Sequence, residues 1–308
     1  MEIVKLFNAL PGACAQGLIW GIMAIGVYLT YKILNLSDLT VDGTMCTGGA
    51  VCIVMMIKGY PVWIALLAAF CAGMLAGLVT GILHTVMGIP AILAGILTQL
   101  GLYSVNLRIM DNKSNQAISV DKYDLMVSLR YMKGVPFYKN TLFVVAVVII
   151  VLIAVLYWFF GTEMGSSIRA TGSNERMACA QGINTNLRKV LGLMISNGIV
   201  AFASGLYAQY QGFADVNAGR GAIVIGLAAV IIGEVLFGKI SKNFAFSLLS
   251  VALGAIIYYI VLQIVLWLGL NTNDLKLLSA IVVAMFLAVP VLGEKWNTKR
   301  AYTEGGNH

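Results

Sequence analysis

Charge is what this chain has least of. Asp, Glu, Lys and Arg together make up 11% of its 308 residues, against roughly 25% in soluble domains. A water-soluble fold of this size cannot cover its apolar atoms with so few charges. Histidine is almost missing: there are two, and His84, the internal one, lies at a helix end and reads as a loop or packing residue. Nucleophile–histidine chemistry and the HExxH zinc hydrolases therefore have no material to work with. No GxxxxGK[ST] phosphate loop occurs either. We expect no catalytic residue, no metal site, no cofactor and no ATPase centre. The five cysteines, Cys14, Cys46, Cys52, Cys71 and Cys179, show no CxxC spacing, which argues against a zinc ribbon or a disulfide framework. No chain of intramembrane acids and bases marks a proton relay, so an ion-coupled carrier is disfavoured without being eliminated. The N-terminus lacks a cleavable-signal layout; its first apolar run continues into a span.

What is present is apolar. The chain is 60% hydrophobic, with a mean hydropathy of +0.89. This composition predicts an all-α, polytopic transmembrane bundle forming a single domain over residues 1–308. The charge of +7 could suggest nucleic acid, but the basic residues lie between apolar runs and form no single patch. They read as loops that meet anionic lipid.

Apolar runs predict helices over 9–31, 44–57, 62–84, 89–107, 140–160, 189–210, 221–237, 243–270 and 276–292, about nine segments within a range of about 8–10. The run 44–57 rises only about 21 Å, too short for an upright span. The tail 293–308, with Lys295, Lys299 and Arg300, favours the cytoplasm. Counting spans backwards puts 161–188 and 238–242 on the same side. The 109–139 loop and the 211–220 turn then fall outside, and nine full passes put Met1 outside as well. Gly73, Gly77 and Gly81, like Gly17 and Gly21, recur every fourth residue and are expected at close helix contacts. No internal repeat is visible in the sequence.

Three polar stretches stand out. Asp38, Thr40, Asp42 and Thr44 lie just before the short run. Asp42 or Thr44 can cap that run, and its positive N-terminal end would then face a polar space. An ordinary capped surface loop and a solute-facing half-helix are both open readings. The second stretch, 161–188, holds a short helix signal: Ser173 or Asn174 as N-cap, Glu175 in the first turn, Gly182 as the stop. Two turns of helix are not stable alone, so Met177, Ala178 and Cys179 must dock on this chain or on a partner. The third stretch gathers Gln209, Gln211, Asp215, Asn217 and Arg220 at the outer end of the 189–210 helix. Within helices the polar residues are few: Gln99, Asn106, Asn197, Glu234 and Gln263. Glu234 reads either as an intramembrane carboxylate or as a paired charge near the inner end of its helix.

Several segments together resemble the permease subunits of bacterial ABC importers, in the branched-chain amino acid and ribose permease superfamily. They are Gly26–Leu34, Leu39–Gly43, Ile89–Leu97, Ile168–Ala178, Gln211–Asp215 and Gly226–Glu234, and the likeness runs from about Gln16 to Val291. Within the superfamily, the sequence is most similar to the tryptophan/tyrosine-type importer permeases. The resemblance implies a type II-like permease fold and a multi-pass protein of the bacterial plasma (inner) membrane. It implies as partners a cytoplasmic ABC ATPase subunit, an extracytoplasmic solute-binding lipoprotein and a second permease copy, with the lipid bilayer around them and no nucleic acid. Arg169, Gly172, Asn174, Glu175, Met177, Ala178 and Gly182 then belong to the segment coupled to the ATPase. We place the translocation pathway at Asp38, Thr40, Asp42, Thr44, Asn197 and Gln209, and the outer gate or binding-protein contact at Gln211 and Asp215. The implied function is amino-acid uptake, with an aromatic solute favoured. A sugar or other small polar solute, and an ion-coupled carrier working alone, are the alternatives.

Overall fold

A computed structural model describes residues 2–119, 122–123, 125–132, 140–238, 243–267, 277, 280–285 and 288. The apolar runs become helices because a chain in an apolar medium must satisfy its own backbone hydrogen bonds. In order these are α1 (Glu2–Tyr28), α2 (Thr40–Ile57), α3 (Val62–Thr85), α4 (Ala91–Ile109), α5 (Thr141–Gly161), α6 (Glu163–Ser173), α7 (Glu175–Ala180), α8 (Thr185–Gln211), α9 (Ala222–Phe237) and α10 (Phe244–Trp267). Seven helices among the described residues are long and apolar enough to cross a membrane, and α9 is a shorter apolar one. The protein is thus a multi-pass membrane bundle. Among the described residues the fold departs from all-α only in a ribbon of two three-residue strands, β1 (Asn115–Ala117) and β2 (Phe213–Asp215), paired antiparallel with Asn115 opposite Asp215. The ribbon ties the long loop after α4 to the turn after α8. The expected tail 293–308, and most of the 238–242 connection and of the 276–292 segment, lie outside the described residues.

One boundary needs correction. The second helix begins at Thr40, not at residue 44, and its 18 residues qualify as a candidate span. The sequence reading started it late because Thr40 and Asp42 are polar, yet both are paired within the fold.

α8 is the hub. Gly73, Gly77 and Gly81 of α3 lie against Asn197, Leu193 and Val190 of α8, so closely that a Cβ at Gly77 would overlap the Leu193 carbonyl oxygen. Gly17 and Gly21 of α1 meet Ile256 and Ala252 of α10 in the same way. Small residues at this spacing let backbones approach and gain van der Waals contact.

The chain reverses in the middle of the bundle twice, in opposite senses. α1 begins beside the ribbon end of α8, where Tyr210 Oη donates to the Gly12 carbonyl. It ends in a π-helical turn, Leu29–Ile33, against Gly172 of α6. From there residues 34–39 climb back to the level of Asn197, the middle of α8. α2 starts at that point and runs alongside α8 towards the ribbon, as the pairs Thr44–Asn197, Gly48–Ala201 and Cys52–Gln209 record. After α8 the course is inverted. Residues 213–221 descend from the ribbon to the first turn of α2, and α9 leaves from there along α1, with Gly226 beside Met23 and Val27 and Glu234 beside Lys32. The N-termini of α2 and α9 therefore meet inside the bundle and the helices depart in opposite directions. Inverted, interrupted helices of this kind place helix ends near a solute path in many carriers. No sequence repeat announces the pairing.

Candidate translocation site and coupling surface

The first polar centre is sealed. Asp38, 3% exposed, accepts from the Thr40 backbone N–H through Oδ1 (2.9 Å) and from Asn197 Nδ2 through Oδ2 (2.7 Å). The Thr44 hydroxyl donates to Asn197 Oδ1 at 2.7 Å. A threonine ladder continues it: Thr40 to Thr80 at 2.7 Å and Thr80 to Thr98 at 2.9 Å. One hydrogen-bonded cluster thus joins the α1–α2 return to α2, α3, α4 and α8. It brings Asp38, Thr40, Thr44 and Asn197 together, and adds Thr80 and Thr98, which the sequence reading missed. None of its residues lines the cavities described below. A buried polar network with every member satisfied rigidifies a core.

Asp42 does something else. It stands in the first turn of α2 but faces α9, accepting from the Gly221 N–H through Oδ2 and the Ile223 N–H through Oδ1, both at 3.0 Å. The expected cap on its own helix is instead a cap on α9. The carboxylate satisfies N–H groups that a helix start leaves unpaired and opposes the positive end of the helix. Gly219 is packed so tightly beneath it that a Cβ would overlap the Asp42 carbonyl oxygen.

Beside this junction lies a cavity of about 430 Å³. Asp42 and Cys46 of α2, Gln99, Tyr103 and Asn106 of α4, and Arg220 of the return turn face it. The Cys46 thiol donates to the Val216 carbonyl at 2.9 Å and accepts from the Gly219 N–H at 3.2 Å. It thereby separates this cavity from a smaller one of about 200 Å³, whose walls include Gln211, Asp215, Ser204 and Tyr207. The two residues expected at the outer gate are thus together, on the second cavity. Gln209 is not near either. It is fully buried, accepts from the Met126 N–H at 3.1 Å and donates to Cys52 Sγ, so it fastens the loop before α5 to the bundle. Its neighbours in sequence point elsewhere because successive helical residues face different directions.

α4 bears on this site for a further reason. Its outward side is mostly apolar, with Ile92, Leu93, Leu97, Leu100 and Val105 exposed, but it also carries exposed Tyr103 and Ser104 next to half-buried Gln99. α5, equally outward, is wholly apolar from Leu142 to Leu156. A wider cleft of about 580 Å³ between α3, α5 and α8, walled by residues such as Trp63, Phe143 and Phe202, offers a solute no hydrogen bond and suits acyl chains. Glu234 is not an isolated intramembrane charge: it pairs with Lys32 at 2.9 Å where α9 ends.

At the opposite end from the ribbon, α6 and α7 form an exposed elbow. Thr162, Asn174 and Asn184 accept from the N–H groups of Gly165, Met177 and Leu187, so α6, α7 and α8 are capped in succession. The sequence signal located α7 and its Asn174 cap, but missed α6. Gly182, with φ +78°, closes α7 as the Ile183 N–H bonds the Ala178 carbonyl and the Gly182 N–H bonds Cys179, a left-handed stop that glycine adopts without strain. The elbow is held from within. Gly172 abuts the Ile33 carbonyl, Ala178 is buried, and Glu175 reaches Lys189 at 2.6 Å. The Lys189 ammonium holds the Glu175 carboxyl below its ordinary range. Arg169, Asn174, Arg176 and Met177 remain exposed, Met177 by 56%. The short helix α7 thus presents an exposed, adaptable thioether at its surface.

Comparison with known proteins places this geometry. The signature of the family described as branched-chain amino acid transport system / permease component matches residues 11–290. The chain is 39% identical over 274 residues to the tyrosine transport system permease protein of Clostridioides difficile (strain R20291), covering 89% of this chain and 88% of that one. It is 29% identical over 272 residues to the galactofuranose transporter permease protein of Escherichia coli (strain K12), covering 87% and 75%. Among solved structures, a chain of PsaBC from Streptococcus pneumoniae in complex with Fab superposes with a TM-score of 0.52 at 15% identity, covering 93% of this chain and 94% of that one. That likeness speaks to the fold alone.

Proposed function

The chain belongs to the branched-chain amino acid transport system permease family, and from that premise we propose that it lines half of an amino-acid pathway driven by a separate ATPase. As an ABC importer permease it is a transport subunit rather than an enzyme. The observation that carries the pathway is the polar cavity at the point where α2 and α9 start and part. A membrane bundle places irregular backbone and free polar groups in its interior only where they line a wet space. We place a second copy of the chain across the path at α4, whose exposed face carries Tyr103 and Ser104 among apolar residues. The pathway residues are then Asp42, Gln99, Tyr103, Asn106 and Arg220. Asp38, Thr40, Thr44 and Asn197 form the rigid frame behind them, and Gln209 has no part in it.

The exposed elbow α6–α7 is the ATPase contact, with Met177 and Arg176 at its tip and Arg169, Asn174, Glu175 and Gly182 shaping it. In this reading closure of the ATPase dimer moves the elbow, and Gly172 passes the displacement to the end of α1 at Ile33. A shift there changes how the two permeases sit against each other, the alternation between inward- and outward-open forms. The ribbon end, with Gln211 and Asp215, receives the solute-binding protein, so that end and the 109–139 loop are extracytoplasmic and the C-terminus is cytoplasmic. The solute is an amino acid, and the tyrosine transport relative points to an aromatic one.

The test is flux of radiolabelled L-tyrosine into proteoliposomes containing the chain with or without its ATPase and binding protein. Uptake is expected only with both partners and ATP. ATP-independent flux through the chain alone would establish a stand-alone carrier, and uptake of galactose in place of tyrosine would move the solute to the sugars.

A further inference from the structure

We propose that the cavity between α2, α4 and the 216–220 turn is itself a recognition site for an α-amino acid, with Arg220 taking the carboxylate and Asn106 the ammonium. The inference rests on the amino-acid reading above and adds that the permease, not the binding protein alone, inspects the solute. Two groups in the cavity lack a partner, and they are of opposite need. Arg220 is exposed to the cavity with no carboxylate within ion-pair distance among the described residues. Asp42, the nearest carboxylate in the wall, has both oxygens engaged by the start of α9. Asn106 is fully buried, its Oδ1 accepts from nothing among the described residues, and its Nδ2 reaches the Gly43 carbonyl only at 3.5 Å. A buried acceptor without a donor is unfavourable and is relieved by a ligand that brings one. A solute that satisfies both carries an anionic oxygen pair for Arg220 and a hydrogen-bond donor for Asn106, and in an α-amino acid the ammonium is that donor.

Arginine suits this task because its planar fork binds a carboxylate bidentately. Its place immediately before Gly221, at the start of α9, adds the positive end of that helix to its own charge. A volume of about 430 Å³ lies within the usual range for small-molecule sites. The Tyr103 ring and Leu100 supply an apolar wall for the side chain. A sugar, with neither carboxylate nor ammonium, would leave Arg220 unpaired while taking away its water. The site therefore discriminates by what it leaves unsatisfied.

The test is equilibrium binding of tritiated L-tyrosine, L-phenylalanine, L-tryptophan and L-leucine to the purified full-length chain in nanodiscs. Saturable binding of at least one is expected, with its decarboxylated amine (tyramine for tyrosine) competing poorly. Arg220→Gln should weaken it at least about tenfold and Arg220→Lys less. Asn106→Ala should leave carboxylate dependence intact but let the deaminated acid compete as well as the amino acid. Equal competition by the amine, unchanged affinity in a monodisperse Arg220→Gln protein, or no saturable binding of any of the four up to about 10 mM overturns the site. The amine competition needs no variant, so a folding defect cannot mask the answer. ATP-driven uptake by the whole complex that persists without binding to the permease overturns this inference and leaves the proposed function standing; absence of any amino-acid uptake removes both.

Discussion

Asp38 and Asp42 are four residues apart, on either side of the start of α2, yet they belong to opposite kinds of polar interior. Around Asp38, four of the six expected pathway residues and two further threonines satisfy one another, and that cluster closes on itself. Around Asp42, the carboxylate is engaged by α9 but Arg220 and Asn106 on the same cavity wall are left with unmet needs. The difference teaches that polarity inside a membrane bundle does not by itself mark the path. A closed network holds the helices in register; an open one has capacity to exchange partners with something that passes.

The comparison can be broken most severely at Asn197. Asn197→Leu removes partners of both Asp38 and Thr44, which are buried. It should cost about 3 kcal/mol or more, read as loss of monodisperse protein on gel filtration and a large fall in melting temperature. A next, smaller effect is expected from Gly172→Val, whose side chain would overlap the Ile33 carbonyl. Overpacking of this kind costs about 1–3 kcal/mol, and the thermal melt should fall while the helix content by circular dichroism is kept. Thr80→Val cuts the ladder between Thr40 and Thr98 and should lower stability by about 1 kcal/mol, measured by denaturant titration.

The open region should respond in the reverse way. Arg220→Gln is expected to change stability by no more than about 0.5 kcal/mol, although amino-acid binding weakens at least about tenfold; a melt as damaged as that of Asn197→Leu would make Arg220 part of the frame. The smallest effect concerns pH at the elbow. The Glu175 carboxyl is held below its ordinary value of 4.5 by Lys189, so the folded state favours the ionised form. Its contribution is present above pH 4.5 and is lost as pH falls through the lowered value. The melting temperature of the protein should therefore exceed that of Glu175→Gln at pH 7, and the gap should vanish on acidification. A gap that widens in acid would reverse the assignment.

Much of this was legible beforehand, and for a common reason. The spans follow from hydropathy, the Gly73–Gly77–Gly81 stripe from spacing, and Asn174 and Gly182 from capping rules. Each depends on residues close together in sequence. What escaped was the use of polar groups by distant partners. Asp42 looked like the cap of its own helix, and instead caps α9, with its bonds to Gly221 and Ile223 spanning 179 and 181 residues. Gln209 looked like a pathway residue because it stood beside Gln211, but the two point to different surroundings. Gln99 and Asn106 were visible as rare polar residues within a helix; nothing in their spacing said that they would face Arg220.

The sequence alone thus determined the solvent this protein folds in, where its long helices run to within a few residues, and how α7 is capped, because hydropathy and capping act over a few residues. The tertiary structure decided which polar side chains are locked together and which are left available. Asn197 reaches Asp38 across 159 residues of chain, and the N-terminus of α9 meets α2 across still more. Those pairings exist only once the two inverted returns have met in the middle of the bundle, and the cavity with its unmatched Arg220 is what their meeting leaves open.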